Sequence, residues 1–158
     1  MKFLTLEQYL MGRGPVTPDL ARNAEDLLRR MNVLLVYFFV DYPRDAGFDL
    51  SSGYRPPEIN QATPGAAKNS QHMKCNAADV RDRDRRKFAR WCLSRLDLLA
   101  DRTIDLYMEH PGATDGANPW VHLQRVPPAS GSRVFIPTAD WAQRLAGKPL
   151  SHWMVRAS

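Results

Sequence analysis

Thr17, Pro18 and Asp19 constrain this chain more than any other feature of its sequence. A threonine hydroxyl serves as an N-cap, proline is tolerated at the first helical position, and a carboxylate suits the positive end of the helix dipole. From that start Leu20, Ala24, Leu27, Leu28, Met31, Leu34, Leu35 and Phe38 recur at helical spacing towards Pro43, which predicts one long amphipathic helix. Its continuous apolar stripe has to be buried against a second layer.

That layer is visible where the apolar period changes to two. Phe48 to Arg55, Ala77 to Arg81, Ile104 to Glu109, Trp120 to Arg125 and Arg133 to Ile136 read as short strands. A second helix is expected after Asp84 as its N-cap, with Phe88, Trp91, Cys92, Leu96 and Leu99 on one face, and a short last helix from Thr138 to Ala146. Trp91 and Trp141 fall at core positions in these helices. Strands mixed irregularly with helices predict an α+β fold, a small and mostly antiparallel sheet with flanking helices. The chain has 158 residues, 44% hydrophobic and 25% charged, which fits a single domain over 1–158. The connections 60–70 and 111–119 are rich in Gly, Pro, Ala, Asn and Thr and read as loops able to rim a site.

Charge and cysteine usage narrow the function classes. Lys and Arg number 22 against 17 Asp and Glu, a net charge of +5 that favours anionic polymers without naming one. The run Arg81, Arg83, Arg85, Arg86, Lys87 and Arg90 is interleaved with Asp82 and Asp84, so it reads as a solvated face, and no nucleic-acid partner is expected. The longest apolar stretch, Val33 to Val40, is too short to span a bilayer, and neither a membrane anchor nor a Sec-type signal is expected. Two cysteines, Cys75 and Cys92, do not make a disulfide scaffold; a soluble monomer made in a reducing compartment is the expectation.

Strand alternation sorts the polar residues. Burying Ile104, Leu106 and Met108 turns Asp105, Tyr107 and Glu109 to the opposite side; Trp120, His122 and Gln124 share one face of their strand, as do Ala77, Asp79 and Arg81. His72, seven residues before Asp79, and His122 then supply two imidazoles and one carboxylate, a set that leaves a fourth tetrahedral position on zinc open. A hydrolase also needs a carboxylate to take the proton of water, and Glu109 is the candidate. His110 and His152 show no partner pattern and are given no role.

Three blocks in order carry a family resemblance: Ser52-Gly53-Tyr54-Arg55; Ser70-Gln71-His72 leading through Ala77 to Asp79; and Trp120-Val121-His122. They resemble the zinc D-Ala-D-Ala carboxypeptidase and L-Ala-D-Glu endopeptidase family, which includes phage endolysins and vancomycin-resistance dipeptidases and shares its fold with the Hedgehog signalling domain. The resemblance implies one Zn2+ held by His72, Asp79 and His122. It implies Arg55 as the cation on the substrate carbonyl or carboxylate, Ser70 as a supporting hydrogen-bonding residue, and a peptidoglycan stem peptide as substrate. Taken with the expected lack of a signal peptide and synthesis in the cytoplasm, it further implies a phage-type protein, released by a holin or carried in a virion.

Two departures from the family pattern leave alternatives open. Cys75 stands where the family usually has glycine, as an innocent replacement in a tight turn, a redox liability or an extra metal ligand. Pro119 stands where many members carry the general base, which leaves Glu109 upstream or Asp115 in the following loop; Glu109 is preferred because a strand end fixes a side chain better. The alternative function is a catalytically inactive zinc-binding structural or wall-binding module, such as a virion component.

Overall fold

The computed structural model describes residues 2–45 and 47–150, so His152 lies outside the described residues. A short helix α1 (Leu6–Leu10) opens the chain, closed by a capping box in which the Thr5 hydroxyl accepts the Gln8 N–H and the Gln8 side chain accepts the Thr5 N–H. Five residues are too few to show a period, but Thr5 followed by Gln8 is the signal that marks it. Helix α2 (Pro18–Asp41) starts on Thr17, as expected, and buries Ala24, Leu27, Leu28, Met31, Leu34, Leu35 and Phe38 together with Phe39. It ends before Pro43, where the helical conformation is disfavoured.

The sheet has five strands, β1 (Leu50–Ser52), β2 (Ala77–Arg81), β3 (Tyr107–Glu109), β4 (Trp120–Gln124) and β5 (Val134–Phe135), in the order β1-β2-β4-β3-β5. All neighbours are antiparallel except β3 and β5. The architecture is therefore α+β with a mostly antiparallel sheet. Two strands are shorter than their alternation suggests. The segment 48–55 pairs only over Leu50–Ser52, with a bulge against β2. The segment 104–109 extends only from Tyr107, because Asp105 has a positive φ of 41° and its carboxylate, like the Leu106 carbonyl, is held by Arg133.

On one face of the sheet Ala78, Val80, Met108, Val121 and Leu123 join the α2 stripe in one continuous buried cluster. Phe38 anchors it, with the rings of Phe88 and Trp91 both edge-on at 5.2 Å. The opposite face carries the polar residues.

The expected second helix differs in three ways. It divides into α4 (Lys87–Ser94) and α5 (Leu96–Leu99) at Arg95, whose φ of −128° breaks the spiral. Its start is not capped by Asp84, which pairs instead with Lys87 at 2.6 Å. The cap is Asp82, whose carboxylate accepts the Phe88 and Ala89 N–H groups at 3.0 and 2.9 Å. Arg85 and Arg86 both have positive φ, and this reversal brings Asp82 under the helix and folds Arg86 inward. Arg86 is thus buried, and the basic run is not wholly a solvated face.

A further helix, α3 (Pro57–Ala62), occupies the start of a connection expected to be a loop. The last helix, α6 (Ala139–Leu145), lies within the expected span and is capped by the Thr138 side chain, with Leu145 as its buried residue. Trp141 is half-buried beneath Arg144 and not a core residue. Among the described residues no helix is long and apolar enough to cross a membrane.

Candidate metal centre

The polar face of the sheet is assembled by register. In the β2–β4 ladder Asp79 lies directly opposite His122, with Ala77 opposite Gln124. Opposed residues of an antiparallel pair project from the same face, so carboxylate and imidazole meet without help from any loop. The next ladder pairs Tyr107 with Gln124 and Met108 with Leu123, and one further step brings Glu109 level with His122.

His72 arrives from a 3-10 turn, Gln71–Lys74, that leads into β2. Ser70 caps this turn by accepting the His72 N–H at 3.3 Å, and Cys75 ends it with a φ of 55°, the left-handed conformation for which glycine is best suited. The spacing of seven between His72 and Asp79 is therefore one short turn, one reversal and the first residues of a strand.

Each imidazole has its tautomer set by a partner. The Gly53 carbonyl oxygen, which can only accept, lies 2.8 Å from His72 Nδ1, so that nitrogen carries the proton and Nε2 keeps its lone pair. Gln124 donates its Nε2 to the Val126 carbonyl at 2.6 Å and so turns Oε1 towards His122 Nε2 at 3.2 Å. His122 Nε2 is then the protonated nitrogen and Nδ1 faces Asp79 Oδ1 at 2.8 Å. His72 Nε2 lies 3.3 Å from the same oxygen, buried and without a hydrogen-bond partner among the described residues.

These three donor atoms lie within 4.8 Å of one another. Two imidazole lone pairs converging on a buried carboxylate repel one another unless a cation sits among them. The two imidazoles hold Asp79 well below the usual carboxylate range although its burial acts in the opposite sense. Burial lowers the proton affinity of His122, but the Asp79 carboxylate outweighs it and the net shift is upward. The site therefore accepts one positive charge beside Asp79, as a proton or a metal ion. The donor set and the orphaned Nε2 fit a divalent metal of the zinc type, and Gly53 and Gln124 are the outer partners such ligands require.

Arg55 and Glu109 flank this cluster. Arg55 is half-buried; its backbone N–H donates to the His72 carbonyl at 3.3 Å and its Nη2 to Ser70 Oγ at 3.2 Å. Glu109 is pushed above the ordinary glutamate value by burial, an effect that the charges of His122 and Arg55 oppose and that of Asp79 reinforces. Asp115 is exposed in the 111–119 connection and accepts the neighbouring Gly116 N–H. His110, buried, caps the turn after β3 by accepting the Gly112 N–H at 3.0 Å.

The 111–119 connection is pinned at both ends by Arg86, which donates to the carbonyl oxygens of Pro111 and Trp120 and to the Thr114 hydroxyl. This brings the chain back to the sheet immediately before His122. Cys75 is not a member of the donor cluster: its thiol is fully buried and pushed up to about 11, chiefly by burial. Two cavities of about 240 and 410 Å3 lie along the β1 side of the molecule, and neither is lined by the site residues.

Residues 42–97 match the Peptidase M15 family. The match agrees with the resemblance seen in the sequence blocks and supports a peptidase. The M15 segment is about a third of the chain and carries Arg55, Ser70, His72 and Asp79. His122 and Glu109 lie beyond it and are brought to it by the β2–β4 and β3–β4 ladders. No curated protein and no solved structure matches the chain.

Proposed function

We propose that this chain is a zinc-dependent peptidase of bacterial cell-wall peptides, of the D,D-carboxypeptidase or L-Ala-D-Glu endopeptidase kind, acting on a peptidoglycan stem peptide. The observation that carries the reading is the pairing of Asp79 with His122 and the convergence of His72 Nε2 on the same carboxylate, inside a chain whose M15 segment supplies two of the three donors. His72, Asp79 and His122 would hold the ion. A divalent metal bound there supplies Lewis-acid polarisation of the scissile carbonyl and lowers the pKa of water.

The chain's own groups do the rest. Glu109, on the face of β3 that meets His122, accepts the proton of the attacking water and returns it to the leaving amine; its raised proton affinity suits both transfers. Arg55 steadies either the oxygen charge that develops as the carbonyl becomes tetrahedral or a carboxylate of the substrate, and a guanidinium offers a planar fork for both. Ser70 holds that guanidinium by accepting from Nη2. Glu109 is favoured over Asp115 as the base because Asp115 is exposed in the loop.

The test is hydrolysis of purified peptidoglycan by protein of measured zinc content, beside Glu109→Gln and His122→Ala. The reading expects new amino termini from the wild type alone, abolished by chelation, with zinc retained in Glu109→Gln and lost in His122→Ala. Stoichiometric zinc without cleavage of walls from several bacterial types overturns it in favour of an inactive metal-binding module.

A further inference from the structure

We infer that Arg13 and Arg55 together form a two-guanidinium subsite beside the metal centre that binds a carboxylate of the substrate peptide. This rests on the peptidase reading above and adds a residue from outside the M15 segment to it.

Arg13 follows the left-handed turn that ends α1, and its Nη1 donates to the Tyr54 carbonyl at 2.7 Å. The next residue is Arg55, tied to the His72 carbonyl through its own N–H and to Ser70 through its guanidinium. Both cations are thus fastened to the segment that holds the first histidine. Both are half-buried, and among the described residues neither is in a salt bridge. The comparably shielded Arg30, Arg125 and Arg133 each have a carboxylate partner.

Two like charges held together in partial burial repel one another, and the Arg13 charge does weaken the proton affinity of Arg55, after the larger effect of burial and against the pull of Asp79. Arg55 Nε is moreover buried with no hydrogen-bond partner among the described residues. The nearby acids do not resolve this, because Asp79 is committed to the metal and Glu109 to proton transfer. With a divalent cation bound, the arginines leave the site with a net positive charge. An anion that accepts from both forks removes the repulsion and satisfies the donors, and a carboxylate matches that geometry. In a stem peptide it can come from the C-terminus or from the D-Glu α-carboxylate.

The experiment uses zinc-loaded protein and three peptides: a stem pentapeptide ending in D-Ala-D-Ala, its C-terminal amide, and the same peptide with the D-Glu carboxylate amidated. Cleavage is measured in the wild type, Arg13→Met and Arg13→Lys, and binding by calorimetry in the same proteins carrying Glu109→Gln. One of the two amides is expected to bind the Glu109→Gln protein with Arg13 intact about ten-fold more weakly than the parent peptide, which identifies the carboxylate. In Arg13→Met that discrimination falls to near unity through KM, and in Arg13→Lys it is partly kept, with the urea midpoint of both variants as the folding control.

An Arg13→Met protein that discriminates like the wild type, or that loses all three peptides equally, overturns the subsite while leaving the peptidase reading intact if the wild type cleaves. Carboxylate-dependent binding without cleavage keeps the subsite and overturns the peptidase. No binding of any peptide overturns both.

Discussion

Gly53 lies against the backbone of Tyr9 so closely that a β-carbon there would overlap the Tyr9 carbonyl oxygen and approach its Cα to 3.1 Å. That oxygen is the acceptor for the Tyr54 N–H, and the Gly53 carbonyl is the acceptor for His72 Nδ1. Helix α1 and the first histidine are therefore linked through one residue without a side chain. Gly53→Ala should cost about 3 kcal/mol by overpacking and weaken zinc binding with it. Urea unfolding and metal titration of the variant check this; wild-type values for both would show that α1 yields freely.

Gln124 should set metal affinity without touching the metal. Gln124→Leu removes the acceptor that keeps the His122 proton on Nε2, and loss of such an outer partner typically lowers affinity by about 10- to 100-fold. Gln124→Glu keeps an acceptor and should retain most of the affinity. Competition with a chromophoric chelator measures both, and equal affinities for the Leu and Glu variants would contradict the role.

The pH dependence of cleavage should have an acidic limb set by Glu109, which works as a base only when ionised. In the metal-free protein burial moves that ionisation above the ordinary glutamate value. Arg55 opposes this shift, and Arg55→Met should move the limb to still higher pH. The sign for stability is opposite to that of a salt-bridged acid: a carboxyl raised on folding costs stability once pH exceeds its folded value. Metal-free Glu109→Gln should thus melt above the wild type at neutral pH and equal it in acid, where both side chains are uncharged.

Much of this site is legible in the sequence, and the reason differs by residue. Asp79 and His122 stand on strands of clear alternation, so their shared face follows from period two alone. His72 is readable only from the text around it, since a 3-10 turn has no period. Arg13 and Gln124 were not singled out for a role: the first acts through a carbonyl 41 positions away, and the second through the orientation of its amide. The misplaced cap of α4 has the same origin, because two left-handed arginines reverse the chain where propensity favours continuing it.

Arg86→Met should destabilise the protein by about 3 kcal/mol, as expected for loss of a buried charged donor with several partners. It should lower activity as well, since the connection before His122 would lose the pin at each end. Unfolding midpoints and kcat are the readouts, and an unchanged midpoint would argue against the pinning role.

Cys75 should be inert in the native protein. Its thiol stays protonated at neutral pH and is fully buried, so alkylation should wait for unfolding. Cys75→Gly should relieve left-handed strain and keep full metal content. Rapid native alkylation, or loss of zinc in Cys75→Gly, would return the thiol to the metal.

With a metal bound as proposed above, the pairing of Asp79 with His122 would also make the ion a proofreader of assembly. A slip of one residue between β2 and β4 turns one of the two side chains into the apolar layer. A misthreaded chain then presents no complete donor set, so uptake of metal selects the correctly paired molecules and withholds its stabilisation from all others.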